Sequence, residues 1–317
     1  MYRERTIAVV IPAYNEEAQI RRVLETMPSF VDHCIVVDDC STDETVLTVE
    51  AYMYEHNRHV VLLRHEKNQG VGGAIVTGYE WARDNAIDAT VVMAGDAQMD
   101  PEDLPAILDP VVQDRADYAK GNRLFTGDAW KEIPHLRYLG NAALSLLTKI
   151  ASGYWHVADS QTGYTAISLR MLKSVNWEST YKRYGCPNDY LVRLNVCNAR
   201  VVDVPIKPVY NVGEKSGIRL ARDIPKLAGL LLRLFLWRML HKYVIRDFHP
   251  LVFFYSAGLL TGIIATALLV RLVVLWVAQG FVPQTTALAL AFFALISLQF
   301  TMFAMWFDME ANKHLGD

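Results

Sequence analysis

The sequence predicts an α/β soluble domain with a mostly parallel sheet, then interfacial helices and two transmembrane helices. Three observations predict it. Up to about residue 220, short β-branched runs alternate with helical spacing, as in a parallel sheet with right-handed crossovers. Residues 219–246 carry seven Lys/Arg (Arg219, Arg222, Lys226, Arg233, Arg238, Lys242, Arg246) against one acid, Asp223. Residues 251–270, LVFFYSAGLLTGIIATALLV, are twenty residues without a charge, and a second apolar run fills 287–307. Each run is long enough to cross a hydrocarbon core of about 30 Å as a helix. The expected boundaries are 1–220 for the α/β domain, 221–248 for the amphipathic segment, 249–308 for the helical hairpin and 309–317 for a tail.

The elements of the first domain follow in order. TIAVVIP (6–12) is a strand ending at Pro12, and NEEAQIRRVLETM (15–27) has helical spacing with acids in its first turn. HCIVVDD (33–39) is a strand ending in carboxylates. STDETVLTVEAYMYEH (41–56) opens with Ser/Thr/Asp capping chemistry and continues as a helix. HVVLLRH (59–65) is a strand, GGAIVTGYEWARDN (72–85) a helix and DATVVMAGD (88–96) a fourth strand. Pro101, Glu102 and Asp103 then start a helix. Pro12, Asp38, Asp39 and Asp96 all fall at strand ends. In a parallel sheet those ends share one edge, where ligands bind.

The amphipathic segment and the hairpin set the topology. In RDIPKLAGLLLRLFLWRMLHKYVIR (222–246), Arg222, Lys226 and Arg233 fall on one narrow helical face, while Arg238, Lys242 and Arg246 fall opposite. The stripe therefore shifts midway. One or two helices lying on the inner leaflet fit this pattern. So does a helix packed on the soluble domain. The loop between the spans, AQGFVPQTT, has no charge, so the basic side is cytoplasmic by the positive-inside rule. Two spans return the tail DMEANKHLGD to that side. Arg271 sits near the far end of the first span, where it can snorkel to the interface or face a partner helix. The expected location is the plasma membrane, multi-pass, with the α/β domain in the cytoplasm. The spans also leave room for a homo-oligomer.

Composition excludes several classes. A net charge of −3 carries no nucleic-acid footprint. Cys34, Cys40, Cys186 and Cys197 form no C-x-x-C pair and read as free thiols. The apolar run near the N-terminus is too short for a signal peptide. NQGVGGAI (68–75) has glycines at 70, 72 and 73 but Ile75 where a dinucleotide fingerprint needs glycine. EKSG (214–217) lacks the spacing of a P-loop.

The carboxylates point to a cation and a phosphate-bearing ligand. Ser41, Thr42 and Asp43 already suffice to cap the following helix, so Asp38 and Asp39 exceed that need. An acid there can accept from a ribose hydroxyl or a base N–H. Asp96 and Gln98, two residues apart, offer oxygens to Mg²⁺ or Mn²⁺, although Asp-x-Gln also makes an ordinary turn.

VVIPAYNEE, VVDDCSTDET, NQGVGGAI and GDAQMDPED, in this order and spacing, resemble the family 2 glycosyltransferases with the GT-A (Rossmann-like) fold. LRYLGN (136–141), DSQTGYTAI (159–167) and the two spans narrow the likeness to polyprenyl-phosphate sugar synthases of the dolichol-phosphate mannosyltransferase type. The likeness covers roughly residues 6–220. It implies that Pro12, Ala13, Tyr14, Glu16 and Asp39 hold the nucleoside, and that Asp96 and Gln98 hold the metal. Ala94 stands where the first acid of the family's D-x-D would be, leaving the cation fewer protein ligands. Arg123 resembles the basic residue that faces the donor phosphates, and Asp189 the acid near the acceptor. Arg137, Asn141 (a serine in the family) and Lys215 resemble the residues that hold the lipid phosphate. The catalytic set so implied is Asp96, Arg123 and Asp189, with Asp159 and Gln161 shaping the site.

The implied reaction is inverting transfer of a hexose from a UDP- or GDP-sugar to a polyprenyl (dolichyl or undecaprenyl) phosphate. A phosphate monoester is mostly dianionic near neutral pH, so it needs cationic positioning more than a strong base. Two alternatives stand beside it: transfer to a glycolipid or polysaccharide hydroxyl, and a catalytically silent membrane scaffold.

Overall fold

The computed structural model describes residues 1–56, 59–124, 135–207 and 220–316, with 135–142 and 220–224 described by backbone alone. Its packing divides the chain into Met1–Phe235 with His314–Asp317, and Leu236–Lys313.

The first unit is built on a seven-stranded sheet. The strands are β1 (Ile7–Ala13), β2 (His33–Asp38), β3 (Val60–Arg64), β4 (Ala89–Val92), β5 (Tyr118–Asn122), β6 (Thr165–Ser168) and β7 (Val201–Pro205). Their order is β3-β2-β1-β4-β6-β5-β7. All pairings are parallel except those of β6, which runs antiparallel to β4 and β5. This reversal places the start of β6 at the same edge as the ends of its neighbours, because Thr165 pairs with both Val92 and Lys120. The segment leading into β6 is thereby delivered to the ligand edge.

The helices are α1 (Ile20–Glu25), α2 (Thr45–Glu55), α3 (Val71–Asp84), α4 (Leu104–Val112), α5 (His135–Ser152), α6 (Leu169–Ser174) and α7 (Cys186–Val196). β1 is buried along its whole length, with successive side chains on opposite faces. Ile7, Val9 and Ile11 pack with Val23, Leu24, Ile107 and Leu108 of α1 and α4. Ala8 and Val10 pack with Tyr79 of α3 and Leu191 of α7. A Cβ at Gly78 would lie 2.3 Å from Val10 Cγ1, so only glycine lets α3 approach β1 this closely.

Two helices start later than their spacing predicts. Residues 15–19 are not helical, and α1 begins at Ile20. Asn15 takes a left-handed φ of 58°, its Oδ1 accepts the Thr42 N–H, and the Glu16 N–H donates to Thr45 Oγ1. Backbone donors that would have opened a helix are spent on the neighbouring loop. Likewise α2 starts at Thr45, not at Ser41, with the Asp43 carboxylate accepting the Thr45 N–H at 3.1 Å. β4 ends at Val92, which frees Met93–Asp96 as a loop.

α8 (Leu220–Leu240) begins in the first unit. There Leu227, Leu231 and Leu234 are buried, and a Cβ at Gly185 would meet Leu227 at 2.6 Å. This stretch of the helix packs on the α/β domain. Leu315 is also buried in this unit, in the cluster containing Tyr154 and Val157.

The second unit contains α9 (Leu251–Gln279) and α10 (Gln284–Asn312), 29 residues each, or about 43 Å at 1.5 Å per residue. Both are long and apolar enough to be candidate membrane spans. Gly280, at φ 64°, ends α9. The helices meet through small residues: Ser297 Oγ donates to the Gly258 carbonyl at 2.8 Å. Leu259, Ile263, Leu288, Phe292 and Leu295 are exposed, as lipid-facing side chains would be. Arg271 is exposed in the last third of α9.

The shifted basic stripe has a structural cause in this unit. Arg238 and Asp308 are both fully buried and paired at 2.8 Å through two hydrogen bonds. Tyr243 donates to Asp308, and Lys242 Nζ to Asn312 Oδ1. Arg238 and Lys242 have turned toward the end of α10, while Arg246 stays exposed.

Candidate active site

The carboxyl edge of the sheet gathers the predicted residues from three loops. Pro12 and Ala13 end β1, and Tyr14 follows, 48% exposed. The Pro12 carbonyl accepts the Gly95 N–H at 3.3 Å, tying the β1 end to the loop after β4. A Cβ at Gly95 would come within 3.5 Å of the Glu16 side chain, so Glu16 lies against that loop.

Asp96 and Gln98 flank Ala97, whose φ of 59° turns the chain sharply. Their spacing would let an extended turn aim both side chains one way, but the Gln98 N–H instead donates back to Asp96 Oδ1 at 3.1 Å. Among the described residues no three His, Cys, Asp or Glu side chains gather at metal-binding spacing. The donor set is one carboxylate and one amide, which fits a hard cation that brings phosphate and water ligands with it. Electrostatics agree. Burial, and then the Asp96 carboxylate beside it, push the Glu16 carboxyl up to about 7. Negative charge is in local excess where a cation would sit.

That excess makes a pH-dependent prediction. Between its ordinary 4.5 and about 7, Glu16 holds its proton more tightly folded than unfolded, so stability falls as pH rises through that window. Glu16→Gln removes the penalty. Thermal melts should show a clear gain at pH 8 and a smaller one at pH 5. An equal gain at both would contradict the assignment.

Asp39 has a structural task that the sequence did not disclose. It is 3% exposed. Its Oδ1 accepts the Gln69 N–H at 2.7 Å and faces His65 Nδ1 at 2.8 Å, while Oδ2 accepts the Gly70 N–H at 2.7 Å. His65 Nε2 meets Thr77 Oγ1 at 2.9 Å. Asp39 thus fastens the glycine-bearing loop to β2. Gly70, at φ 91°, is required there, because a Cβ would strike the Lys182 carbonyl at 2.6 Å.

On the other side, Arg123 and Asp159 form a forked pair, Nε to Oδ2 at 2.7 Å and a terminal nitrogen to Oδ1 at 3.2 Å. Burial opposes the Asp159 charge, but Arg123 outweighs it and holds the carboxyl below its ordinary value. Gln161 Nε2 donates to Asn188 Oδ1 at 3.0 Å, as does Thr148 Oγ1. This links α5, the segment before β6 and the start of α7.

Asp189 is 1% exposed. It accepts the Tyr181 N–H and pairs with Arg193 Nε at 2.8 Å. Burial raises its pKa, against the pull of Arg193. Both oxygens are engaged, which suits a positioning role better than proton abstraction. Arg137 and Asn141 lie on α5, but their side chains are outside the described residues, as is all of Lys215.

A seven-stranded mixed sheet with helices on both faces and carboxylates gathered at one edge has the architecture of a GT-A-type transferase. The chain belongs to glycosyl transferase family 2, whose model matches residues 8–175, and it is a glycosyltransferase. It is 32% identical to UDP-N-acetylglucosamine–dolichyl-phosphate N-acetylglucosaminyltransferase of Methanococcus voltae, over 65% of this chain and 87% of that one. It is 30% identical to undecaprenyl-phosphate mannosyltransferase of Micrococcus luteus (63% and 82% covered). Polyprenol monophosphomannose synthase of Mycolicibacterium smegmatis is 29% identical (71% and 86%). Among solved structures, glucosyl-3-phosphoglycerate synthase of Mycobacterium tuberculosis with Mn²⁺, UDP and product has the same fold, with TM-score 0.52 and 22% identity over 74% of this chain and 80% of that one.

Proposed function

We propose that the protein transfers a hexose, with inversion, from a UDP- or GDP-sugar to a polyprenyl phosphate at the cytoplasmic face of the plasma membrane. The observation that carries this reading is a family 2 catalytic domain followed by two candidate spans, in a chain whose relatives are named for dolichyl, undecaprenyl and polyprenol phosphates. A soluble donor and a lipid acceptor meet only at a membrane surface.

The residues take the following roles. Pro12, Ala13, Tyr14 and Glu16 form the nucleoside side of the site, and Asp39, whose two oxygens are taken up by Gln69, Gly70 and His65, supports it by fixing the neighbouring loop. Asp96 and Gln98 hold Mg²⁺ or Mn²⁺, which when bound offsets the charge of the departing diphosphate. Arg123, oriented by Asp159, adds a positive charge on the same side. Arg137, Asn141 and Lys215 receive the lipid phosphate, and Asp189 positions the acceptor side. A dianionic phosphate attacks without a base, which agrees with both Asp189 oxygens being occupied. A hydroxyl acceptor would need that carboxylate free.

Incubating the full-length protein with polyprenyl phosphate, Mg²⁺ or Mn²⁺ and a panel of UDP- and GDP-sugars tests the reading. Mass analysis should find one lipid carrying one added sugar. Nucleotide binding without any sugar-bearing lipid across the panel would favour a silent scaffold. Sugar on a glycolipid hydroxyl instead would favour the other transferase.

A further inference from the structure

A lysine that the roles above leave unused lies under this site. Lys120 is on β5 and is fully buried. Its Cα partners are Thr165 on β6 and Asp203 on β7. Its ammonium donates to the Thr162 carbonyl, in the segment that brings Asp159 and Gln161 to the edge. The next residues of the strand grip the same region. Asn122 donates to Asp203 Oδ2 at 3.0 Å, Asp203 Oδ2 also accepts the Ala158 N–H at 2.7 Å, and Arg123 holds Asp159.

The charged groups facing Lys120 are Asp159 and Arg123, and beside them lies the Asp203 carboxyl, whose pKa burial raises. The fourth neighbour, the Cys186 thiol, is pushed up to about 12 by burial and stays neutral. Two cations, Lys120 and Arg123, thus share this cluster with the Asp159 and Asp203 carboxyls, beneath the edge that receives an anionic donor in the proposed reaction. A buried ammonium is costly unless such partners compensate it, so Lys120 is an expensive choice for a strand interior.

We propose that Lys120 is a positioning residue: its buried charge holds the 158–162 segment, and through it the Asp159–Arg123 pair, in the arrangement that accepts the donor diphosphate. This rests on the reading of Arg123 as a donor-facing group. Loss of the Lys120 proton leaves the cluster one charge more negative and weakens donor capture. Burial pushes the ammonium down to about 8, against the pull of the two carboxylates. The sign follows: capture of the sugar-nucleotide should fall as pH rises through about 8.

The test is the pH profile of kcat/KM for the sugar-nucleotide, from pH 6.5 to 9.5, in the full-length enzyme. The parent should show an alkaline limb near 8, absent from Lys120→Arg, whose charge persists throughout. Lys120→Met should be slower by about tenfold or more at pH 7, with KM for the donor rising more than KM for the lipid. Asp203→Asn covers the case in which neither lysine variant folds. It keeps an oxygen for Asn122 and Ala158, because Asp203 Oδ1 has no hydrogen-bond partner among the described residues. It should move the limb to lower pH, since one carboxylate no longer supports the ammonium. A limb unchanged in Lys120→Arg or in Asp203→Asn overturns the proposal, as does a parental profile in Lys120→Met. Such a result, with the parent still glycosylating lipid, leaves the transferase reading intact. Absence of transfer by the parent would sink that reading, and the positioning role with it.

Discussion

Asp96→Asn is expected to lower sugar transfer by about a hundredfold or more, since even residues that merely orient metal ligands contribute about 10- to 100-fold. The side-chain volume is kept, and an Asn oxygen can still accept the Gln98 N–H that Asp96 accepts at 3.1 Å. The fold should therefore survive. What disappears is the one carboxylate of the proposed metal pair, at a site where Ala94 already removes another. An independent readout lies next door. Glu16 is raised to about 7 in part by Asp96, so the variant should pull its titration back toward the ordinary value. Calorimetric binding of nucleotide should become less dependent on Mn²⁺. Near-parental turnover at saturating metal would remove Asp96 from the metal site.

How much of this could be read from the chain differs from element to element. The first four strands were legible because each is a β-branched run that stops at a proline, a carboxylate or a short loop. Asp39 and Asp96 were legible from the strands expected to end there, although β4 stops at Val92 and leaves Asp96 on the loop, and Gln98 was legible from its spacing to Asp96. The late starts of α1 and α2 were not, because the N–H groups of residues 15 and 16 donate to the Ser41 and Thr45 hydroxyls across two loops. Helical spacing cannot register such pairing. The antiparallel β6 was also hidden, since four residues, TAIS, do not declare a direction. Yet that reversal carries Asp159 and Gln161 to the edge. Lys120 was hidden for a related reason. KGNR reads as a polar strand end until β7 and the 158–162 segment close over it. Asp39 was found for its chemistry, while the loop it fastens through His65 and Gly70 lies 26 and 31 residues away.

The largest stability effect should come from the other end of the chain. Asp308→Ala should destabilise the Leu236–Lys313 unit by about 3–5 kcal/mol, the usual cost of leaving one member of a buried ion pair behind. Arg238 is fully buried and pairs with Asp308 through two bonds of 2.8 Å, so its charge would lose its counter-ion. The Tyr243 hydroxyl would lose its acceptor as well. Asp308→Asn, which keeps one acceptor oxygen, should cost less. Replacing both partners by apolar residues, Arg238→Met with Asp308→Leu, should recover much of the loss, because no bare charge then remains. Thermal melts of the full-length protein in detergent can rank the three variants. If the double replacement melts below Asp308→Ala, the pair contributes more than mutual neutralisation. If Asp308→Ala melts like the parent, water reaches Arg238 and the pair is not sealed. The ranking also bears on the membrane reading, because an uncompensated arginine is costlier still where lipid replaces water. The gap between Asp308→Ala and the apolar double variant should therefore widen from detergent to lipid vesicles.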